Sequence, residues 1–481
     1  MFYKTKRARD RRKELHPRVH FLGAARAVTP SLHLLEIPGD GKRWVCLDSG
    51  SSQEDTIAIE RRLPNGLSPS KLNAVILSHV HNDHVGGGPR LSKLGYSGPF
   101  YCTEPSNDLL KTIWPDSGAI QQKDARRFKT PLMFGEQDAR MALRQLRPVS
   151  MGKRFSPVPG VAAEFLSASH LLGAAQTLLE IDFKGGEKRT LLYTGDLGRP
   201  GMPCLDDVAP VKYADYVICE GTYGDKLHND LDPLNALADA VNRAYGLASY
   251  PDKKRGYGAI LIPSFALGRA QTVAYYLRLL RQQGRIRPIR VAMDSPLAIN
   301  ITEVYRRHIH DFNRSDRKQA KHCDLFSLPG DIECRTWEES AKLDKPLSEP
   351  TIIVSSRGWG NGGRVTSHLL SRLEHPGNTV IWLGHQGEGT PGSDLTAGAR
   401  SIYIAKHKLN VKATIEHLEG FSGHQDQREI LDTLSRFKRP PRKLFLVHAE
   451  EAPATVLKAK IEKRLGCEVV IPHRGSHFDL T

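Results

Sequence analysis

Along much of the chain, short runs rich in Val, Ile, Leu, Phe and Tyr stop abruptly at an Asp, a Glu or a His. WVCLDSG stops at Asp48, LNAVILSHVHNDH in a cluster of imidazole and carboxylate, AEFLSASH at His170, TLLYTGD at Asp196, YVICEGTYGD at Glu220 and KLFLVH at His448. Runs this short predict strands rather than helices. In layered α/β proteins functional groups gather where strands finish. Neighbouring strands would therefore bring these scattered residues into one site. Any one of them alone reads more readily as a satisfied polar group at a strand end, but six arriving together do not.

From about Asp225 to Glu419 the pattern changes. DLDPLNALADAVNRAYG places Asp232 as a helix N-cap and Pro233 at the first helical position, with Leu234, Leu237, Ala238 and Val241 on one face. A strand (GAILIPSFA), a helix (GRAQTVAYYLRLLRQQG) and a second strand (IRVAMDSP) follow. This alternation predicts a parallel-sheet α/β unit. The stretch FNRSDRKQAKHCD reads as a polar loop. The region lies between Glu220 and His448, both of which belong to the strand-end theme. The predicted architecture is therefore α/β, with a first domain split as residues 1–224 and 420–481 around a domain inserted at 225–419.

The densest chemistry lies in AVILSHVHNDHVGGG, which carries His79, His81, Asp83 and His84. Two His at i and i+2, then Asp and His at i+4 and i+5, set ligands on both sides of a tight turn. Gly86, Gly87 and Gly88 let the backbone bend away closely. Imidazole with carboxylate suits Zn²⁺ first, with Mn²⁺ and Fe²⁺ as alternatives. One catalytic ion takes about three protein ligands. This patch with His170, Asp196 and His448 is thus large enough for two divalent ions. His79, His81 and His170 would serve one, Asp83, His84 and His448 the other, and Asp196 would lie between them.

Charge narrows the partner. Lys and Arg number 69 against 53 Asp and Glu, a formal net charge of +16 over 481 residues, and 39% of positions are hydrophobic. That hydrophobic content is ample for two cores, and the basic excess favours the phosphate backbone of a nucleic acid. The N-terminal KTKRARDRRK reads as a phosphate contact or a solvated tail. No apolar run approaches the ~20 residues of a membrane helix, and no apolar signal core follows the basic start. The seven cysteines are scattered without a C-x-x-C pair. Together these features predict a cytoplasmic protein with reduced thiols and no membrane partner.

H-x-H-x-D-H after a strand, with His170 and Asp196 downstream, resembles the metallo-β-lactamase superfamily. ICEGTYGD, LIPSFALGRAQ, MDSPLAINITEVY, IIVSSRGWGNGGRV, GFSGHQDQ and LFLVHAEE resemble its β-CASP branch, and FLGAARAVTPSLHLLE and LDSG extend the resemblance to nearly the whole chain after about His20. It implies a metallo-β-lactamase αββα sandwich with an inserted α/β β-CASP domain, and a nuclease acting on phosphodiesters in a cleft between the two. Position by position, Asp48 matches the carboxylate that orients the attacking water, and His79, His81, Asp83, His84, His170 and Asp196 match metal ligands. Glu220 and His424 match a paired acid and imidazole that protonate the leaving oxygen. His448 matches the last motif, where a His accompanies RNA substrates and DNA-processing members tend to carry Val.

Single-stranded RNA is therefore the expected partner, with a homodimer as an allowed assembly. Ser355, Ser356, Arg364 and Ser422, in or beside Gly-rich turns, are candidate phosphate contacts. The chain departs from the usual family pattern at Pro30, at SSRG (355–358) and at His385; the last two bear on substrate preference rather than on chemistry. The competing readings are a DNA nuclease or small-molecule hydrolase of the same fold, and a non-catalytic RNA-binding scaffold subunit. For His424 the competing role is to cap the helix that QDQREILDTLSRF predicts. Every expected ligand is present, which favours the enzyme.

Overall fold

A computed structural model describes residues 16–39, 41–51, 58–64, 66–183, 185–229, 232–252 and 256–481; the basic KTKRARDRRK lies outside them. The chain divides into two compact units, residues up to Leu227 with His424–Thr481, and His228–Gly423.

In the first unit the alternation of apolar positions builds two seven-stranded sheets. One runs in the order His477–Asp479, Arg18–Phe21, His33–Ile37, Arg43–Leu47, Ala74–Ile76, Phe100–Thr103, Leu146–Val149. The other runs Glu468–Val470, Lys443–Val447, Tyr216–Glu220, Lys188–Tyr193, Ala175–Asp182, Val161–Ser167, Arg154–Val158. Strand Val161–Ser167 shows how they are joined. Val161, Ala163 and Phe165 share one core with Phe21, Leu35, Val45 and Leu47 of the facing sheet, while Ala162 and Glu164 between them are only half buried. That is the two-residue period of a pleated strand.

Strands Tyr216–Glu220 and Lys443–Val447 are apolar on both sides because both sides are covered. Ile218 and Phe445 enter the core between the sheets. Val217, Cys219, Leu444 and Leu446 pack with Ile430, Leu434, Leu457 and Ile461 of helices Gln427–Leu434 and Glu451–Leu465. Beside the other sheet, Trp114 of helix Glu104–Phe128 is buried and donates from Nε1 to the Val85 carbonyl at 3.1 Å. The αββα sandwich that the resemblance implied is the architecture of this unit.

Strand direction explains why the polar strand ends meet. Arg43–Leu47 is parallel to Ala74–Ile76, and Lys188–Tyr193, Tyr216–Glu220 and Lys443–Val447 are mutually parallel neighbours. Val161–Ser167 points the same way as Lys188–Tyr193 through two antiparallel pairings. In each sheet these strands finish at one edge.

The second unit is a six-stranded parallel sheet in the order Ile332–Glu333, Arg290–Asp294, Thr351–Ser355, Ala259–Pro263, Thr379–Leu383, Thr414–Leu418. One core holds Leu237, Val241, Val273 and Leu277 with Ile260 and Val354; another holds Val365, Leu369 and Trp382 with Leu261, Ile353 and Val380. The expected first helix is Pro233–Ala248, and Asp232 caps it by accepting from Leu234 N–H at 3.0 Å. The stretch 312–324, expected as a polar loop, instead carries helix Arg314–Ala320. Asn313 caps that helix, and Asp316 is buried on it, accepting from the Tyr275 hydroxyl at 2.6 Å. A helix anchored by buried hydrogen bonds shows no apolar stripe. Trp382 is fully buried, so Trp382→Ala is expected to cost this unit about 3–5 kcal/mol in denaturant unfolding; a loss below about 1 kcal/mol would contradict this packing.

Strand Arg290–Asp294 ends in a buried polar knot. Asp294 Oδ1 accepts from Arg364 Nη1 at 2.7 Å, and Oδ2 faces Ser340 Oγ and His368 Nε2, each at 2.7 Å. Asp344 Oδ1 lies 3.0 Å from His368 Nδ1. Burial works to raise the Asp294 carboxyl, but His368, Ser340 and Arg364 hold it below its ordinary 3.8. Burial works to lower the His368 imidazole, but Asp294 and Asp344 hold it above its ordinary 6.5. A lowered carboxyl contributes stability that is lost as pH falls through its folded value; a raised imidazole contributes stability that is lost as pH rises through its folded value. The network therefore contributes fully between 3.8 and 6.5. Thermal melting against pH should show this unit losing stability on both sides of that window, and His368→Gln should flatten the alkaline side. An alkaline decline of unchanged steepness in the variant would refute this account.

Candidate metal centre

The opening motif folds as its spacing implied, with a tight turn after a strand. Ala74–Ile76 ends, His79 follows, and His81 precedes the one-turn helix Asn82–Val85 that carries Asp83 and His84. The chain around Asp48 packs hard against this turn. A Cβ at Gly50 would lie 1.8 Å from the Asp83 carbonyl oxygen, so only glycine fits there. Asp48 itself holds φ +60, unusual for a residue with a side chain.

The donor atoms of the strand ends converge. His81 Nδ1 is 3.1 Å from His79 Nε2 and 3.2 Å from His170 Nε2. Asp196 Oδ2 completes this group, 3.3 Å from His79 Nε2 and 3.7 Å from His170 Nε2. In a second group, Asp83 Oδ2 is 3.3 Å from His448 Nε2 and 3.8 Å from His84 Nε2. The other oxygen of Asp196, Oδ1, is 3.3 Å from His84 Nε2 and 3.8 Å from His448 Nε2. One carboxylate therefore turns one oxygen to each group.

The residues fit divalent cations on three counts. Tetrahedral ligands about 2.0–2.1 Å from an ion stand about 3.3–3.4 Å apart, which is the scale of these separations. Asp196 Oδ1 is buried and has no hydrogen-bond partner, a costly arrangement unless something else satisfies it. Protonation also suits metal binding, which takes neutral imidazole and ionised carboxylate. Burial, with neighbouring His84, holds His79 well below its ordinary value, and burial lowers His81 to about 4. Burial works to raise Asp83 and Asp196, yet the surrounding imidazoles hold both well below the usual carboxylate range. His84 runs the other way: burial works to lower it, but Asp196, Asp48 and Asp83 push it well above 6.5.

Asp48 is fully buried and its oxygens are occupied. Oδ1 accepts from Ser78 N–H at 2.7 Å; Oδ2 meets Ser78 Oγ at 2.7 Å, Tyr193 Oη at 2.6 Å and His84 Nδ1 at 2.6 Å. Its contacts hold the His84 ring and direct Nε2 to the second group. Ser78 and Tyr193, which complete this arrangement, stand in the quoted motifs but carried no signal that singled them out. Neither did His33, a fully buried ring 5.6 Å from the Tyr193 ring, which burial with His84 and His448 lowers to about 3.

Glu220 and His424 meet. Glu220 Oε1 accepts from Leu197 N–H at 2.7 Å and lies 3.1 Å from His424 Nδ1. Burial works to lower the His424 imidazole, but Glu220 first, then Asp196 and Asp83, raise it to about 9. The competing role for His424 belongs to Asp426, whose side chain accepts from Glu429 N–H at 2.8 Å and caps helix Gln427–Leu434. The His424 ring lies 4.6 Å from that of His170.

The four phosphate candidates lie in the second unit; Ser355, Arg364 and Ser422 are buried and Ser356 is half-buried. Ser355 Oγ donates to the Asp294 carbonyl at 3.1 Å, and Ser356 Oγ is 2.6 Å from Ser295 Oγ. Arg364 Nη1 donates to Asp294 and to the Cys334 carbonyl, and Nη2 to the Arg335 carbonyl at 3.1 Å. An arginine engaged in this way braces its own unit.

Comparison with known proteins agrees with the fold. Residues 31–161 match the metallo-beta-lactamase superfamily, 270–395 the Beta-Casp domain, and 408–472 the Zn-dependent metallo-hydrolase RNA specificity domain. Ribonuclease TTHA0252 of Thermus thermophilus is 31% identical over 94% of this chain and 97% of that protein. The chain belongs to the β-CASP branch of the metallo-β-lactamase superfamily.

Other relatives carry different names. An RNase J-like protein of Methanocaldococcus jannaschii is 28% identical over 90% of this chain and 94% of its own. Transcription termination factor FttA of Methanothermobacter thermautotrophicus is 28% identical over 83% of this chain, which spans 62% of that longer protein. A solved Enterococcus faecalis protein of unknown function shares the fold, with a TM-score of 0.55 at 14% identity over 97% of this chain and all of that one. The Beta-Casp match falls within the second unit of the chain. All seven cysteines are free, and no helix among the described residues is long and apolar enough to cross a membrane.

Proposed function

We propose that this chain is a metal-dependent ribonuclease that hydrolyses phosphodiester bonds of single-stranded RNA. The observation that carries the reading is Asp196, whose two oxygens face two separate groups of imidazole and carboxylate donors. Support for RNA comes from His448 in the last motif, from the +16 charge and from the RNA specificity match across 408–472. Relatives named as ribonucleases add to it.

Two Zn²⁺ ions, or Mn²⁺ in their place, would be held by His79, His81 and His170 on one side and by Asp83, His84 and His448 on the other, with Asp196 serving both. Bound there, they supply Lewis acidity that makes hydroxide available near neutral pH and offsets charge on the phosphoryl oxygens. The chain's own residues do the remainder. Asp48, held by Ser78 and Tyr193, fixes the His84 ring and so acts as a positioning residue. Glu220 accepts from His424 Nδ1–H, which leaves Nε2 to deliver a proton to the departing O3′. The neighbouring carboxylate keeps that imidazole protonated until transfer.

A 5′-labelled RNA tests this directly. Cleavage is expected to stop in EDTA, to return with added Zn²⁺ or Mn²⁺, and to exceed cleavage of single-stranded DNA of the same sequence. Cleavage undiminished by EDTA, or equal on DNA, would overturn the reading. Product lengths from the same gel separate internal scission from trimming at the 5′ end.

A further inference from the structure

The turn after strand Tyr216–Glu220 places Thr222 between two members of the centre. Thr222 Oγ1 lies 2.5 Å from Glu220 Oε2 and 2.9 Å from His448 Nδ1, and Thr222 N–H donates to the same Glu220 oxygen at 3.2 Å. A hydroxyl has one proton to donate, and an ionised carboxylate can only accept. The short contact to Glu220 therefore takes the Thr222 proton, at the length of a charge-assisted bond. The His448 carbonyl, at 3.2 Å from the same hydroxyl, is the more distant acceptor. The contact with His448 must then run the other way, from Nδ1–H to Oγ1. With the proton on Nδ1, Nε2 is the ring nitrogen left facing Asp83 Oδ2, at 3.3 Å, and Asp196 Oδ1, at 3.8 Å, where it would offer its lone pair to a cation held between them.

His448 has little other freedom. Its backbone sits at φ +51, and its N–H donates to the Ala24 carbonyl at 2.7 Å. Ring orientation and tautomer are what remain to be set. His84 has these set by a carboxylate, Asp48; His448 has them set through a neutral hydroxyl.

We propose that Thr222 is a positioning residue that sets the His448 tautomer, presenting Nε2 as a donor to the Asp83–His84–His448 group, and that makes Glu220 a shared anchor of His448 and His424. The inference rests on the metal-dependent reading above. Thr222→Val keeps shape and removes the relay, whereas Thr222→Ser keeps the hydroxyl.

The test is Zn²⁺ titration of the full chain against a chromophoric chelator, with RNA absent. Wild type is expected to take up two ions. In Thr222→Val one of them should weaken roughly 10- to 100-fold while the other is unchanged, the range for loss of a group that orients a ligand; Thr222→Ser should stay within about threefold of wild type. Two ions held equally well by wild type and Thr222→Val would overturn this inference and leave the metal reading standing. A wild type that takes up no ion would overturn both. If Thr222→Val does not fold, imidazole ¹⁵N NMR of the Zn²⁺-loaded wild-type chain decides: His448 protonated on Nδ1 and bare on Nε2 supports the assignment, and His448 bare on Nδ1 overturns it.

Discussion

Asp196→Asn is expected to lower RNA cleavage by about 10³-fold or more, which is about 4 kcal/mol of transition-state stabilisation. The substitution keeps the shape of the side chain. It removes a carboxylate whose two oxygens face both donor groups, and its amide nitrogen cannot act as a ligand. Metal content should fall with activity, because both groups lose a charged member. The metal-free fold should persist, since Asn keeps the shape of the side chain and can still face His79 and His84; circular dichroism of the variant checks this. A variant that cleaves RNA within tenfold of wild type would remove Asp196 from the centre of the mechanism.

His424→Ala is expected to lower kcat by about 10²- to 10⁴-fold, the range for loss of a general acid, with both ions retained. Its partner is Glu220 rather than a helix terminus, and Asp426 caps the helix that follows. Lost activity would therefore not report a lost cap. An RNA with sulfur in place of the departing oxygen makes the result specific. A thiolate leaves without being protonated, so His424→Ala should cleave that substrate nearly as fast as wild type. An equal loss on both substrates would assign His424 to binding or shape rather than to proton delivery.

Strands and helices were legible because their causes are local. Runs ending at Asp48, Asp196, Glu220 and His448 announce strands by length and composition, and Asp232 with Pro233 announces a helix start; each signal spans a few residues. The helix Arg314–Ala320 escaped because its anchor, Asp316 on the Tyr275 hydroxyl, joins residues 41 positions apart. Arg364 reads as a phosphate contact when only its glycine-rich neighbourhood is considered. Its partner Asp294 lies 70 residues away, and their contact is buried.

The candidate centre divides in the same way. Imidazole and carboxylate at strand ends were visible in one dimension, since a strand end is a local event and parallel strands share an edge. Which ring nitrogen faces the donor groups, and which is tied back, was not visible. Tyr193 reaches Asp48 across 145 residues, and Thr222 reaches His448 across 226. Read alone, the sequence determined the element types and the chemical character of the donors. The tertiary structure alone decided their orientation, because a hydrogen bond is set by distance and direction in space, and these partners are neighbours only after folding.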